Sequence, residues 1–81
     1  MTGTPEGPRE LDCRGMRCPQ PIIELARHLA DVEVGGLLAV VATDPAAGPD
    51  VRAWCRMKGH GLAGEDHADD GTPRYMVRRL R

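Results

Sequence analysis

The chain contains no phenylalanine, and Trp54 and Tyr75 are its only aromatic residues. A core built from it must rest on Leu, Ile, Val, Ala and Met, with Trp54 as its one large member. Too few aromatic faces exist to stack a series of nucleic-acid bases. A dominant charge is missing too. Eleven basic and twelve acidic residues leave a net charge of -1, so no strong field draws in nucleic acid or an anionic membrane. No apolar run is long enough to span a bilayer. Met1 to Pro8 lack the charged-then-apolar pattern of a secretion signal. Cysteine is sparse and odd in number: a disulfide scaffold using Cys13, Cys18 and Cys55 would leave one thiol over. The cytoplasm is the expected location, where thiols stay reduced. The question then becomes which thiol reacts.

What is present suits one small domain. With 81 residues the core is thin, because domains of this size bury only about 60% of their unfolded surface. Residues 1–8 are small and polar and read as a flexible N-terminal tail, leaving 9–81 as the domain. Leu11-Asp12-Cys13 reads as a strand, with Leu11 and Cys13 on one face. Gly15 marks a turn. Pro19 and Pro21 suit the first turn of a helix, where backbone N–H groups lack intrahelical partners. Ile22, Ala26 and Leu29, with Ile23, Leu25 and Ala30 on the adjoining row, then give helical spacing. Leu37 to Ala42 is a continuous apolar run of the length of a buried strand. A second helix is expected from Asp50, as its cap, to Lys58, with Val51, Trp54 and Cys55 on one face. Leu62 to Ala68 reads as an edge strand, Asp69 to Pro73 as a turn, and Tyr75 onward as a last strand. The order is βαβαββ. Two helices cannot cover both faces of four strands, so the expected fold class is α+β. It is a two-layer α/β sandwich, a four-stranded mixed sheet with both helices on one face.

Cys18 is the candidate reactive residue. A residue before proline is pushed out of helical backbone space, which puts Cys18 at the N-cap. There its thiol meets free N–H groups and the positive end of the helix dipole. Such sites, with nearby cations, lower a cysteine pKa from about 8.5 to roughly 3.5–7.5. Arg14 and Arg17 are near enough in sequence to add to this effect. The two prolines stiffen the element that presents the thiol. The same position also allows a plain reading, a small apolar residue at a helix start. Spacing alone leaves both open.

Leu11-Asp12-Cys13-Arg14-Gly15-Met16-Arg17-Cys18-Pro19-Gln20-Pro21 resembles the signature of the TusA/SirA-like sulfur-carrier family. In that family a strand ending in Leu-Asp leads through a glycine turn to Cys-Pro-x-Pro at a helix start. The resemblance continues through Ala42-Thr43-Asp44-Pro45, Asp50, Trp54-Cys55, Gly59-His60 and Tyr75 to Arg78. It implies that Cys18 accepts sulfane sulfur as a persulfide, with Arg14, Gly15, Pro19, Gln20 and Pro21 as the supporting motif. It also implies a donor, such as a cysteine desulfurase or a rhodanese, and an acceptor protein. Family members feed tRNA thiolation, molybdenum-cofactor synthesis or sulfur oxidation. Arg17, Arg27 and Asp44 are candidates for partner docking.

Persulfide transfer needs an exposed thiol and neither a deep pocket nor a general base. No cofactor, metal, membrane or direct nucleic-acid partner is expected, since His28, His60 and His67 match no zinc spacing. A monomer is the expected state. Two rivals remain: a redox or regulatory module forming mixed disulfides, and an RNA-binding module, since the family's fold is similar to a ribosomal initiation-factor domain. Cys13 and Cys55 read as core residues, with Cys13 as a resolving partner for oxidised Cys18 as the alternative.

Overall fold

The computed structural model describes residues 9–81; the expected N-terminal tail, 1–8, lies outside them. The elements are β1 (Arg9–Cys13), α1 (Gln20–His28), β2 (Leu37–Ala42), α2 (Ala47–Lys58), β3 (Gly61–His67) and β4 (Pro73–Arg78). A single 3-10 turn, Leu29–Asp31, extends α1. The sheet order is β1-β2-β4-β3. β1 runs parallel to β2, while β4 runs antiparallel to both β2 and β3, so the sheet is mixed. This is the expected α+β architecture with the expected element order.

The central strand explains itself. β2 is flanked on both sides, and its residues from Leu38 to Ala42 are buried. A strand covered on both faces needs the unbroken apolar run that this segment has. Leu38, Val40 and Ala42 pack toward the helices with Leu11, Cys13, Leu25, Val51, Trp54 and Val77. Ala39 and Val41 are fully buried on the other face. There Arg74, opposite Val41, reaches Asp66 on β3 at 2.7 Å and Glu10 on β1 at 3.2 Å. As expected, β3 is an edge strand, and its pairing with β4 is irregular between Leu62 and Gly64.

Both helices depart from expectation in detail. The buried positions of α1 are Pro21 and Leu25, with Ile22 and Leu29 packed beside them, while Ile23 is 46% exposed. The core-facing stripe is thus turned away from Ile23 and Ala26. α2 begins at Ala47, and Asp50 sits within its first turn rather than capping it. Gly48 and Pro49 are tolerated there because the first-turn N–H groups have no intrahelical acceptors. Gly48 is also closely packed: a Cβ at this position would lie 3.0 Å from the Tyr75 hydroxyl. α2 ends at Gly59, whose φ of 79° is the left-handed conformation that glycine adopts freely.

Candidate functional site

The loop between β1 and α1 carries the Cys-Pro-x-Pro run. Gly15 turns it, at φ 79°, and the Met16 N–H donates to the Cys13 carbonyl at 3.1 Å. The loop is then tied to the segment after β2 at two points. The Gly15 N–H donates to Thr43 Oγ1 at 2.9 Å, and the Cys18 N–H donates to Asp44 Oδ2 at 2.9 Å. The other Asp44 oxygen, Oδ1, accepts the Ala46 N–H at 2.9 Å. One carboxylate therefore fastens the Cys18 backbone and shapes the turn into α2. Those two N–H donors hold the Asp44 carboxyl below the usual carboxylate range.

Cys18 is exposed, whereas Cys13 and Cys55 are buried. Its peptide bond to Pro19 is cis. Pro19, not Cys18, occupies the N-cap of α1, so the thiol stands one residue further out than expected. The Pro19 carbonyl accepts the N–H groups of Ile22 and Ile23 at 3.0 and 3.1 Å, and the Arg17 carbonyl accepts the Gln20 N–H at 2.7 Å. Pro21 and Leu25 seat this end of the helix in the core. A rigid support thus presents an exposed sulfur.

The electrostatics differ from expectation. The Asp50 carboxylate pushes the Cys18 thiol above its ordinary value, with desolvation and the Asp44 charge adding to it. The expected depression toward thiolate assumed the helix N-terminus and the charges of Arg14 and Arg17. Instead Arg14 turns away, to Asp70 at 3.0 Å and Asp12 at 3.0 Å. Its guanidinium and the Thr72 N–H and hydroxyl act on Asp70, Thr72 the more strongly, and lower that carboxyl to about 2. Arg17 acts on Asp44. Burial pushes the thiols of Cys13 and Cys55 up as well.

The remaining candidates sort by place. Gly15, Arg17 and Asp44 line an open cleft of about 430 Å³ with Met16, Thr43 and Pro45. Gln20 opens α1 and is exposed. Arg27 lies further along the helix, 68% exposed, paired with Glu24 at 3.4 Å. Thr43 and Asp50 entered the resemblance, and Asp50 the expected helix cap, but neither was expected at the Cys18 loop. Asp-Pro after an apolar strand was visible as a turn, but not the reach of that turn to Cys18.

The family model for the sulfurtransferase TusA matches residues 9–79. The chain belongs to this family. The sulfur carrier protein TusA of Pseudomonas syringae pv. syringae (strain B728a) is 41% identical to it over 70 residues, 86% of this chain and 82% of the relative. The sulfur carrier protein TusA of Pseudomonas paraeruginosa (strain DSM 24068 / PA7) is 39% identical over 69 residues, 85% of this chain and 86% of the relative. Among solved structures, a SirA-like protein from Desulfitobacterium hafniense has the same fold, with a TM-score of 0.74 at 20% identity. The match covers 89% of this chain and 97% of that one. As a member of the TusA family, the protein has a sulfur-carrier, or sulfurtransferase, role.

Proposed function

We propose that Cys18 takes sulfane sulfur from a donor protein as a persulfide and passes it to an acceptor protein. The observation that carries this reading is the exposed Cys18 thiol, on a loop pinned by Thr43 and Asp44 at the head of a buried helix end. Two protein thiols exchange a sulfur only when both reach the same point in solvent, so a thiol standing clear of its fold suits the work. The donor is a cysteine desulfurase or a rhodanese-like protein. The acceptor serves tRNA thiolation, cofactor synthesis or sulfur oxidation, in the cytoplasm. Arg17 and Asp44 border the cleft beside Cys18 and form the docking surface, together with the exposed Arg27 further along α1. The supporting residues are Arg14, Gly15, Pro19, Gln20 and Pro21.

The relay is tested with carrier loaded from radiolabelled cysteine by a desulfurase, separated from the donor, and mixed with cell extract. Label is expected to move to a discrete protein that mass spectrometry identifies. If it leaves only as free sulfide, the protein is not a relay.

A further inference from the structure

Three segments meet at the end of the sheet opposite Cys18. β2 runs from Leu37 to Ala42, and Asp44, which holds the Cys18 loop, follows it. β4 runs the other way, with Val41 opposite Arg74 and Leu37 opposite Arg78. A strand of this length puts roughly 20 Å between its two ends. At the Leu37 end the Gly35 N–H donates to the Arg79 carbonyl at 2.6 Å, and the Arg79 N–H to the Gly36 carbonyl at 2.9 Å. The Leu80 N–H donates to His60 Nδ1 at 3.1 Å, and Arg81 Nη1 lies 2.8 Å from where a Gly59 Cβ would sit. Residues 32–36, 56–60 and 78–81 thus form one surface. Arg56, Lys58, Arg78, Arg79 and Arg81 lie in it, and among the described residues none of them enters an ion pair, whereas Arg14, Arg52 and Arg74 each meet a carboxylate. Glu33 is the one acidic side chain in these segments. Arg78 and Arg79 each donate from Nη1 to a neutral carbonyl, of Gly35 and Val32, at 2.7 Å. Both guanidiniums are held in place with their charge uncompensated and further donors to spare.

The same segments carry three large apolar side chains in solvent: Val34 is 59%, Met57 74% and Leu80 53% exposed. Each sits in sequence beside the cations or the loop that binds them. We propose that this end of the domain is a second docking surface, for an acidic protein face whose carboxylates meet the arginines and whose apolar recesses take Leu80, Val34 and Met57. Arginine and methionine are enriched where proteins meet. A nucleic acid or a lipid headgroup layer would supply the negative charge too. Both favour exposed aromatic rings, for base stacking or for anchoring at the interface. Trp54 and Tyr75, the only aromatics of the chain, are 7% and 8% exposed. The net charge of -1 gives no long-range pull, so the attraction acts at contact, where shape and apolar fit also count. A partner held here leaves the Cys18 end uncovered for a different protein. The inference goes beyond the sulfur-carrier reading and does not depend on it.

The test titrates the isotope-labelled full chain with a synthetic peptide of glutamates carrying a leucine at every fourth position, followed by amide NMR at about 0.15 M salt. Saturable shifts are expected at Val34, Gly35, Lys58, Gly59 and Leu80, and not at Gly15 or Cys18. Cys18→Ser is expected to bind as the unaltered chain does. Lys58→Glu combined with Arg81→Glu is expected to raise the Kd about tenfold. Leu80→Ser is expected to weaken binding while leaving its salt dependence unchanged. The same spectra report whether each variant keeps the fold, through the amides of β2. Absence of saturable binding, or shifts centred on Gly15 and Cys18, overturns the surface. An all-glutamate peptide of equal length that binds as tightly overturns the apolar recesses. Tighter binding of a polyuridylate oligonucleotide, or of phosphatidylglycerol vesicles, overturns the protein partner in favour of a phosphate-bearing one. Failure of Cys18 to accept sulfur would strike the carrier reading and leave these outcomes untouched.

Discussion

Asp44 closes β2 onto Cys18: its Oδ2 accepts the Cys18 N–H at 2.9 Å across a sequence separation of 26 residues. The same carboxylate holds Ala46 through Oδ1. The loop that carries the thiol and the start of α2 therefore share one anchor. The amide protons of Cys18 and Ala46 are expected to titrate together in an NMR pH series. Their common midpoint should lie below the ordinary carboxylate range, because both N–H groups favour the ionised form. A carboxyl depressed in this way adds stability above its unfolded pKa, which fades as pH falls through the folded one. Asp44→Ala should abolish the shared titration and speed amide exchange at Cys18.

The three thiols should react in a strict order. Cys18 is exposed, whereas Cys13 is 1% and Cys55 3% exposed, and burial raises the pKa of both. Brief iodoacetamide treatment of the folded protein is expected to add one label, on Cys18. Treatment in guanidinium should add three. Labelling of Cys13 in the folded state would revive its part as a resolving thiol.

Much of this was legible in the sequence, for identifiable reasons. The run Leu37 to Ala42 became the central strand at the expected bounds, since only a strand buried on both faces needs six apolar residues in a row. The start of α2 was hidden, because Gly48 and Pro49 break a helix anywhere except in its first turn. The motif around Cys18 was readable locally, but its electrostatics were not. Arg14 and Arg17 are neighbours in sequence, whereas Asp50 arrives on another helix, and a linear reading has no means of weighing that approach.

Gly48→Ala tests the packing that joins α2 to β4. The added Cβ meets the Tyr75 hydroxyl at 3.0 Å and Cε1 at 3.2 Å, and Tyr75 is itself buried. Overpacking of this kind costs about 1–3 kcal/mol. A denaturant titration should show a lower midpoint with an unchanged slope. An unchanged midpoint would mean that the tyrosine ring moves aside freely.

His60 gives the fold an acid-sensitive joint. It stacks on Trp54 at 5.4 Å between ring centroids, and its Nδ1 accepts the Leu80 N–H at 3.1 Å. Desolvation lowers its pKa, and the charges of Arg81 and Arg79 lower it further. For a histidine so depressed, the unfolded chain binds the proton more readily than the folded one. The stability contribution is thus complete above the ordinary value of 6.5 and is lost as pH falls through the folded value. Melting followed by Trp54 fluorescence from pH 8 to pH 5 (on the order of the window a histidine spans) should show a steeper acid loss than His60→Gln shows.

The central claim concerns one sulfur on one residue. The full chain, incubated with a cysteine desulfurase and cysteine, is cut into peptides without reductant, and the added sulfur is located by mass spectrometry. The account predicts a single extra sulfur on the Cys18 peptide, removed by reductant and absent from Cys18→Ser. Extra sulfur on Cys13 or Cys55, or its persistence in Cys18→Ser, would contradict it.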